Sequence, residues 1–168
     1  ITLSKAMELE EKAGEPILAE FYRSQYTATL EAVRSMFWKR ERGCFADEPG
    51  HGKLSEHALA LSILAGVLDY DQLASTENVL LNADDLTRCA PFFRHFLFEA
   101  YYSLGRGDRI LDGCDDWRGF LDLGLTSTPE KNPSRTRSDC HAWSAHPIYH
   151  FMASIAGIRP AAPGFREA

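Results

Sequence analysis

The sequence lacks a long apolar run, an excess of positive charge and any closely spaced cysteine pair, and each gap closes off a class of protein. Its longest apolar stretch, Ala58 to Leu68, is interrupted by Ser62 and Gly66. That falls short of the roughly 20 apolar residues a membrane-spanning helix needs, so no membrane partner is expected. Lys and Arg total 18 against 24 Asp and Glu, giving a net charge of −6 and a pI near 5.5. A broad basic surface for nucleic acid is therefore not expected. The densest basic cluster, Lys39-Arg40-Glu41-Arg42, contains an acid and reads as a solvated helix end. Cys44, Cys89, Cys114 and Cys140 are too far apart for a zinc knuckle. A chain of 168 residues can build a core without disulfides, so they read as free, mostly buried thiols. Gly-x-Ser-x-Gly, P-loop and Gly-x-Gly-x-x-Gly segments are missing, which removes support for nucleophile-elbow and nucleotide readings. No segment alternates convincingly with period two, so strands are not expected.

What is present is helical. Apolar residues make up 45% and charged residues 25%, the balance of a globular protein. Leu3, Ala6, Met7 and Ala13 share one helical face, with Gly14 as the stop. Pro16 reopens a helix, whose stripe of Leu18, Phe21, Tyr22, Leu30, Val33 and Phe37 leads to a stop at Gly43. Ser55 caps a helix to about Leu68 that is apolar on most faces and hence buried. A shorter helix follows over Tyr70 to Leu81. A strong stripe runs from Thr87 to Leu104, another from Asp108 to Leu123, and a last helix from Pro147 to Gly157. About seven helices joined as hairpins define an all-α fold. The mixture of all-apolar and amphipathic helices suits two helical layers better than a four-helix bundle.

The segment between the last two helices is chemically dense. Glu130, Arg135, Arg137, Asp139, Cys140, His141, Trp143 and His146 fall within one short stretch. Carboxylates move protons, Arg and His bind oxygens, and an indole stacks on the apolar face of a sugar. This is the composition of a site for a polar substrate. His146 and His150 stand at i, i+4, with Asp139 and His141 near, a spacing that can put two imidazoles on one helix face. Pro147 places His146 at the helix entrance, and no Glu lies between the two as in a zincin, so no metal is assigned. His51 and His57 read as surface or capping residues.

The run Arg137-Ser138-Asp139-Cys140-His141-Ala142-Trp143-Ser144-Ala145-His146-Pro147 resembles a family: the α-L-rhamnosidases of glycoside hydrolase family 78, in the C-terminal half of their catalytic domain. Ser55-Glu56-His57-Ala58 with Leu64-Ala65-Gly66, Phe98-Glu99-Ala100-Tyr101 with Leu104-Gly105, Asp116-Trp117, and Gly124-Leu125-Thr126 extend the resemblance over roughly residues 42 to 165. It implies antiparallel helical hairpins forming part of an (α/α)6 toroid, a rhamnose-containing carbohydrate as substrate, no cofactor and no metal. It also implies inverting hydrolysis of terminal α-L-rhamnose, which needs an acid and a base about 6.5–9.5 Å apart with water beside the base. In the family pattern Glu130 takes the place of the general base. His141 matches a histidine that contacts the sugar, and Trp143 would shape the pocket wall or its support. The sequence departs from the pattern at Thr128, where the family usually has an aromatic.

The general acid belongs to the family's N-terminal half and has no counterpart here. Residues 1–168 thus read as a partial catalytic domain, with 159–168 as a tail leading toward a β domain. The remainder of the parent chain is the expected partner, with self-association through the exposed half-toroid face as a second expectation. The chain alone is expected to be inactive. The residues themselves also admit another six-hairpin glycosidase or lyase, or a helical interaction module without chemistry.

Overall fold

The computed structural model describes residues 1–50, 52–131 and 137–168. Among the described residues the fold is all-α apart from one pair of two-residue strands, and the chain divides into two compact units, Ile1–Leu86 and Thr87–Ala168.

In the first unit, α1 (Thr2–Ala13) turns at Gly14 and packs back on α2 (Pro16–Phe37), whose proline sits in the first turn where its missing N–H has no helical partner to lose. Arg23 of α2 reaches Glu11 of α1. The helix expected to run to Gly43 stops at Phe37. Trp38–Lys39 (β1) instead pairs antiparallel with Cys44–Phe45 (β2), Trp38 opposite Phe45, with their rings edge to face at 5.1 Å. Gly43 makes this turn at φ +65°, and a Cβ there would lie 2.9 Å from the Ser75 Cβ. Its carbonyl accepts hydrogen bonds from Ser75 Oγ at 2.7 Å and Thr76 Oγ1 at 3.3 Å.

Ser55 caps α3 (Glu56–Leu64) as expected: its Oγ accepts from the Ala58 N–H at 3.2 Å. The helix ends at Leu64 rather than near Leu68. Leu59, Ala60, Ser62 and Ile63 are buried, but Leu61, expected inside with them, is exposed, so the helix is covered on one side and not all round. α4 (Tyr70–Asn82) opens with a full capping box between Asp69 and Gln72. The α2 stripe does not form a buried face. Ala19 is the buried residue of this helix, while Ile17, Leu18 and Phe21 are exposed. Leu30, Val33 and Phe37 line, with Tyr26, Phe45 and Leu61, a largely apolar cavity of about 730 Å³.

In the second unit the helix expected from Thr87 begins later. Ala90 is held extended (φ −65°, ψ 155°) by the proline after it. A 3₁₀ turn at Pro91–Phe93 then leads into α5 (Arg94–Ser103). The single helix expected over Asp108–Leu123 is two, α6 (Gly107–Gly113) and α7 (Asp115–Asp122), jointed at Cys114. Their inward face is Ile110, Cys114 and Phe120; Leu111 and Leu121, expected inside, are exposed. The last helix is α8 (Pro147–His150) continuing as a π-helical turn, Phe151–Ile155. No disulfide joins the four cysteines; Cys44, Cys89 and Cys114 are buried and Cys140 is exposed.

Gly113 lies directly under the core ring of this unit. A Cβ there would sit 2.5 Å from Cε1 of Phe98, which is fully buried. Gly113→Ala should therefore overpack the core by about 2 kcal/mol, despite the better helix propensity of alanine. That corresponds to a melting temperature lower by roughly 4–8 °C. A thermal melt in which Gly113→Ala matches or exceeds the wild type would contradict the described packing.

Candidate functional site

The polar segment after α7 folds back on itself. The Glu130 N–H donates to Ser138 O at 2.9 Å, and the His141 N–H to Thr128 O at 2.8 Å. Thr128 Oγ1 donates to His141 O at 2.9 Å, and Ser127 Oγ donates to Asp139 O. Thr128, the residue that departs from the family pattern, thus fastens the backbone on both sides of His141. The Ser138 hydroxyl accepts the Cys140 N–H at 3.2 Å.

This pairing brings Glu130 and Arg137 together. The guanidinium grips the carboxylate with both arms: Arg137 Nε donates to Oε2 at 3.1 Å and Nη2 to Oε1. Glu130 is buried while Arg137 is largely exposed. The hydrogen bonds and charge of Arg137 hold the Glu130 carboxyl below the usual carboxylate range. The group is therefore ionised at neutral pH, and its orientation is fixed by a two-point contact.

Next along the chain, the His141 ring meets Phe92 edge-on at 5.7 Å and Trp143 at 5.9 Å. Trp143 is 73% exposed, so its indole offers an open apolar face. Asp139 and Cys140 are exposed. Arg135 and His51 lie outside the described residues. His57 is half-buried in the first turn of α3.

The structure separates His146 from this group. Its ring packs against Trp117 at 5.1 Å and Phe98 at 5.4 Å, and its Nε2–H donates to Pro91 O at 2.9 Å. His150, fully buried, lies at 5.3 Å from His146. The sequence reading paired these two but missed their third member, His95 on α5, whose Nδ1 is 3.1 Å from His150 Nε2. Burial is the main cause that lowers the pKa of all three, to about 4 for His146 and about 3 for His150. They are neutral near pH 7.

Arg159, read from sequence as the start of a tail, is anchored. It forks onto Glu99 at 2.9 and 3.0 Å, donates to Ala153 O at 2.9 Å and stacks over Tyr102 at 3.8 Å. No sequence signal marks this pair, because α5 and the π turn meet only in the folded unit.

Helical hairpins joined by a charged, aromatic-bearing loop place the chain among the all-α proteins. Within that class the chain is similar in structure to the family 78 rhamnosidases. It superposes on the GH78 family rhamnosidase of Bacillus sp. GL1 with a TM-score of 0.88 and 26% identity, over 98% of this chain and 19% of that one. A rhamnosidase from Klebsiella oxytoca with rhamnose bound matches with a TM-score of 0.75 and 22% identity, over 93% of this chain and 32% of that one. The chain therefore spans about a fifth and a third of the lengths of these two enzymes. No protein-family model matches the sequence, and no curated protein does.

Proposed function

We propose that the chain is a segment of the catalytic domain of an α-L-rhamnosidase that removes terminal α-L-rhamnose with inversion. The observation that carries this reading is the superposition on the Bacillus rhamnosidase along nearly the whole chain. The ionised, clamped Glu130 in the polar loop supports it.

In this reading the hairpins complete part of an (α/α)6 toroid, and the loop end of the hairpins holds the sugar. Glu130 takes a proton from the water that attacks the anomeric carbon. The general acid, which protonates the leaving oxygen, comes from a part of the enzyme beyond these 168 residues. His141 hydrogen-bonds a sugar hydroxyl. Trp143 forms the wall on which the apolar face of the ring rests. Residues 159–168 lead on toward a β domain. The exposed Ile17, Leu18 and Phe21 mark a face for the remainder of the parent chain, or for a second copy when that remainder is missing.

The test is release of the aryl group from an aryl α-L-rhamnoside, with the anomer of the released sugar followed by NMR. The full-length enzyme should turn over with inversion, and the 168-residue chain alone should not. Turnover of an aryl glycoside of another sugar, with none of the rhamnoside, would favour a different six-hairpin glycosidase. Turnover by the chain alone would show that the acid lies within it.

A further inference from the structure

His95, His146 and His150 each offer one ring nitrogen, and the three nitrogens lie within 4.8 Å of one another. We propose that these histidines form a zinc(II) site that ties α5 to α8. This inference is independent of the rhamnosidase reading.

The outer nitrogens of two rings are already committed. His146 Nε2–H donates to Pro91 O at 2.9 Å, which leaves Nδ1 as the lone-pair nitrogen. That Nδ1 is buried and has no hydrogen-bond partner among the described residues. His150 Nδ1 is 2.9 Å from Ser154 Oγ, and Glu99 Oε1 lies at 3.7 Å beside it. With the proton on Nδ1, His150 turns the lone pair of Nε2 toward His95. A metal-bound histidine characteristically donates its other N–H to a carbonyl, hydroxyl or carboxylate, and both rings show this arrangement. Glu99 and Ser154 are in turn held by Arg159.

One separation already fits a small tetrahedral ion, and the others lie within a ring rotation of it. Zinc–nitrogen bonds of about 2.0–2.1 Å put neighbouring ligand atoms roughly 3.3–3.4 Å apart. His95 Nδ1 and His150 Nε2 are at 3.1 Å. The 4.8 Å limit leaves a closure of about 1.5 Å at most, within reach of a ring rotation of the half-buried His95 or His146. Binding moves the His95 proton from Nδ1 to Nε2, so three neutral imidazoles bind without net proton release. An all-imidazole set selects zinc over magnesium or calcium, which take oxygen ligands. Water fills the fourth position.

The test uses the 168-residue chain, stripped with chelator and titrated with zinc(II) by calorimetry, with bound metal counted after desalting. The expected result is one zinc per chain with micromolar or tighter affinity, and a cobalt(II) derivative with the intense visible bands of tetrahedral coordination. His95→Ala and His146→Gln should each weaken binding at least tenfold while circular dichroism shows the fold retained. Cys140→Ser, which removes the exposed thiol, should bind as the wild type does. Absence of zinc binding would overturn the proposal. So would equal binding by the histidine variants, loss of zinc in Cys140→Ser, or an octahedral cobalt spectrum. If a histidine variant fails to fold, the cobalt spectrum of the wild-type chain decides.

Discussion

Under the proposed function, Glu130→Gln in the full-length parent enzyme should lower kcat by ~10²-fold or more, the low end for losing general-base assistance. KM should change little, because the amide keeps the shape of the carboxylate. Added azide should rescue the variant only weakly, because the amide is nearly as large as the carboxylate and leaves no space for the anion beside the sugar. The partner experiment is Arg137→Gln. Arg137 lowers the Glu130 pKa, so in the wild type the base stays ionised as pH falls, and the acid limb of kcat/KM lies below the usual carboxylate range. Removing the guanidinium removes the stabilisation of the charged form, so that limb should move to higher pH. Near-wild-type kcat in Glu130→Gln would take this residue out of the base role. An unmoved acid limb in Arg137→Gln would take Arg137 out of the positioning role.

Arg159→Ala should destabilise the chain more than any single surface change. The substitution deletes a two-armed contact to Glu99, a bond to the Ala153 carbonyl and the stack on Tyr102. Breaking one side of a buried ion pair removes about 3–5 kcal/mol. Both side chains here keep some solvent, 27% and 20%, and screening reduces the figure to roughly 2–3 kcal/mol. Arg159→Lys should recover only part of it, because an ammonium cannot fork onto a carboxylate. Urea unfolding of the three proteins measures both differences. A loss below about 0.5 kcal/mol in Arg159→Ala would place the pair among surface ion pairs that contribute little.

What could be read in advance was what local chemistry decides. Pro16 and the Ser55 cap act over one turn and stand where expected, and the helix expected over Tyr70–Leu81 runs over Tyr70–Asn82. The joint at Cys114 was invisible because Cys114 keeps helical dihedrals (φ −76°, ψ −10°) and apolar spacing runs through it. The Trp38–Phe45 hairpin was invisible because two residues per strand carry no period. In the candidate site, Glu130 and Arg137 were legible as one dense run. His95 was not, since it stands 55 positions from His150 and only the packing of α5 on the last turns brings them together. Arg159 escaped for the same reason, its partner Glu99 being 60 positions away.

The exposure of Trp143 has an optical consequence. The other two indoles, Trp38 and Trp117, are half-buried, and Trp117 donates its N–H to Ser144 O at 2.7 Å. Trp143 alone of the three faces water broadly, so it carries the red edge of the fluorescence emission and is the fluorophore an aqueous quencher reaches first. A sugar ring settling on that indole would displace its water, moving the red edge toward the blue and shielding it from acrylamide. The wall of the proposed pocket is thus its own reporter, and occupancy can be followed by light without labelling the protein.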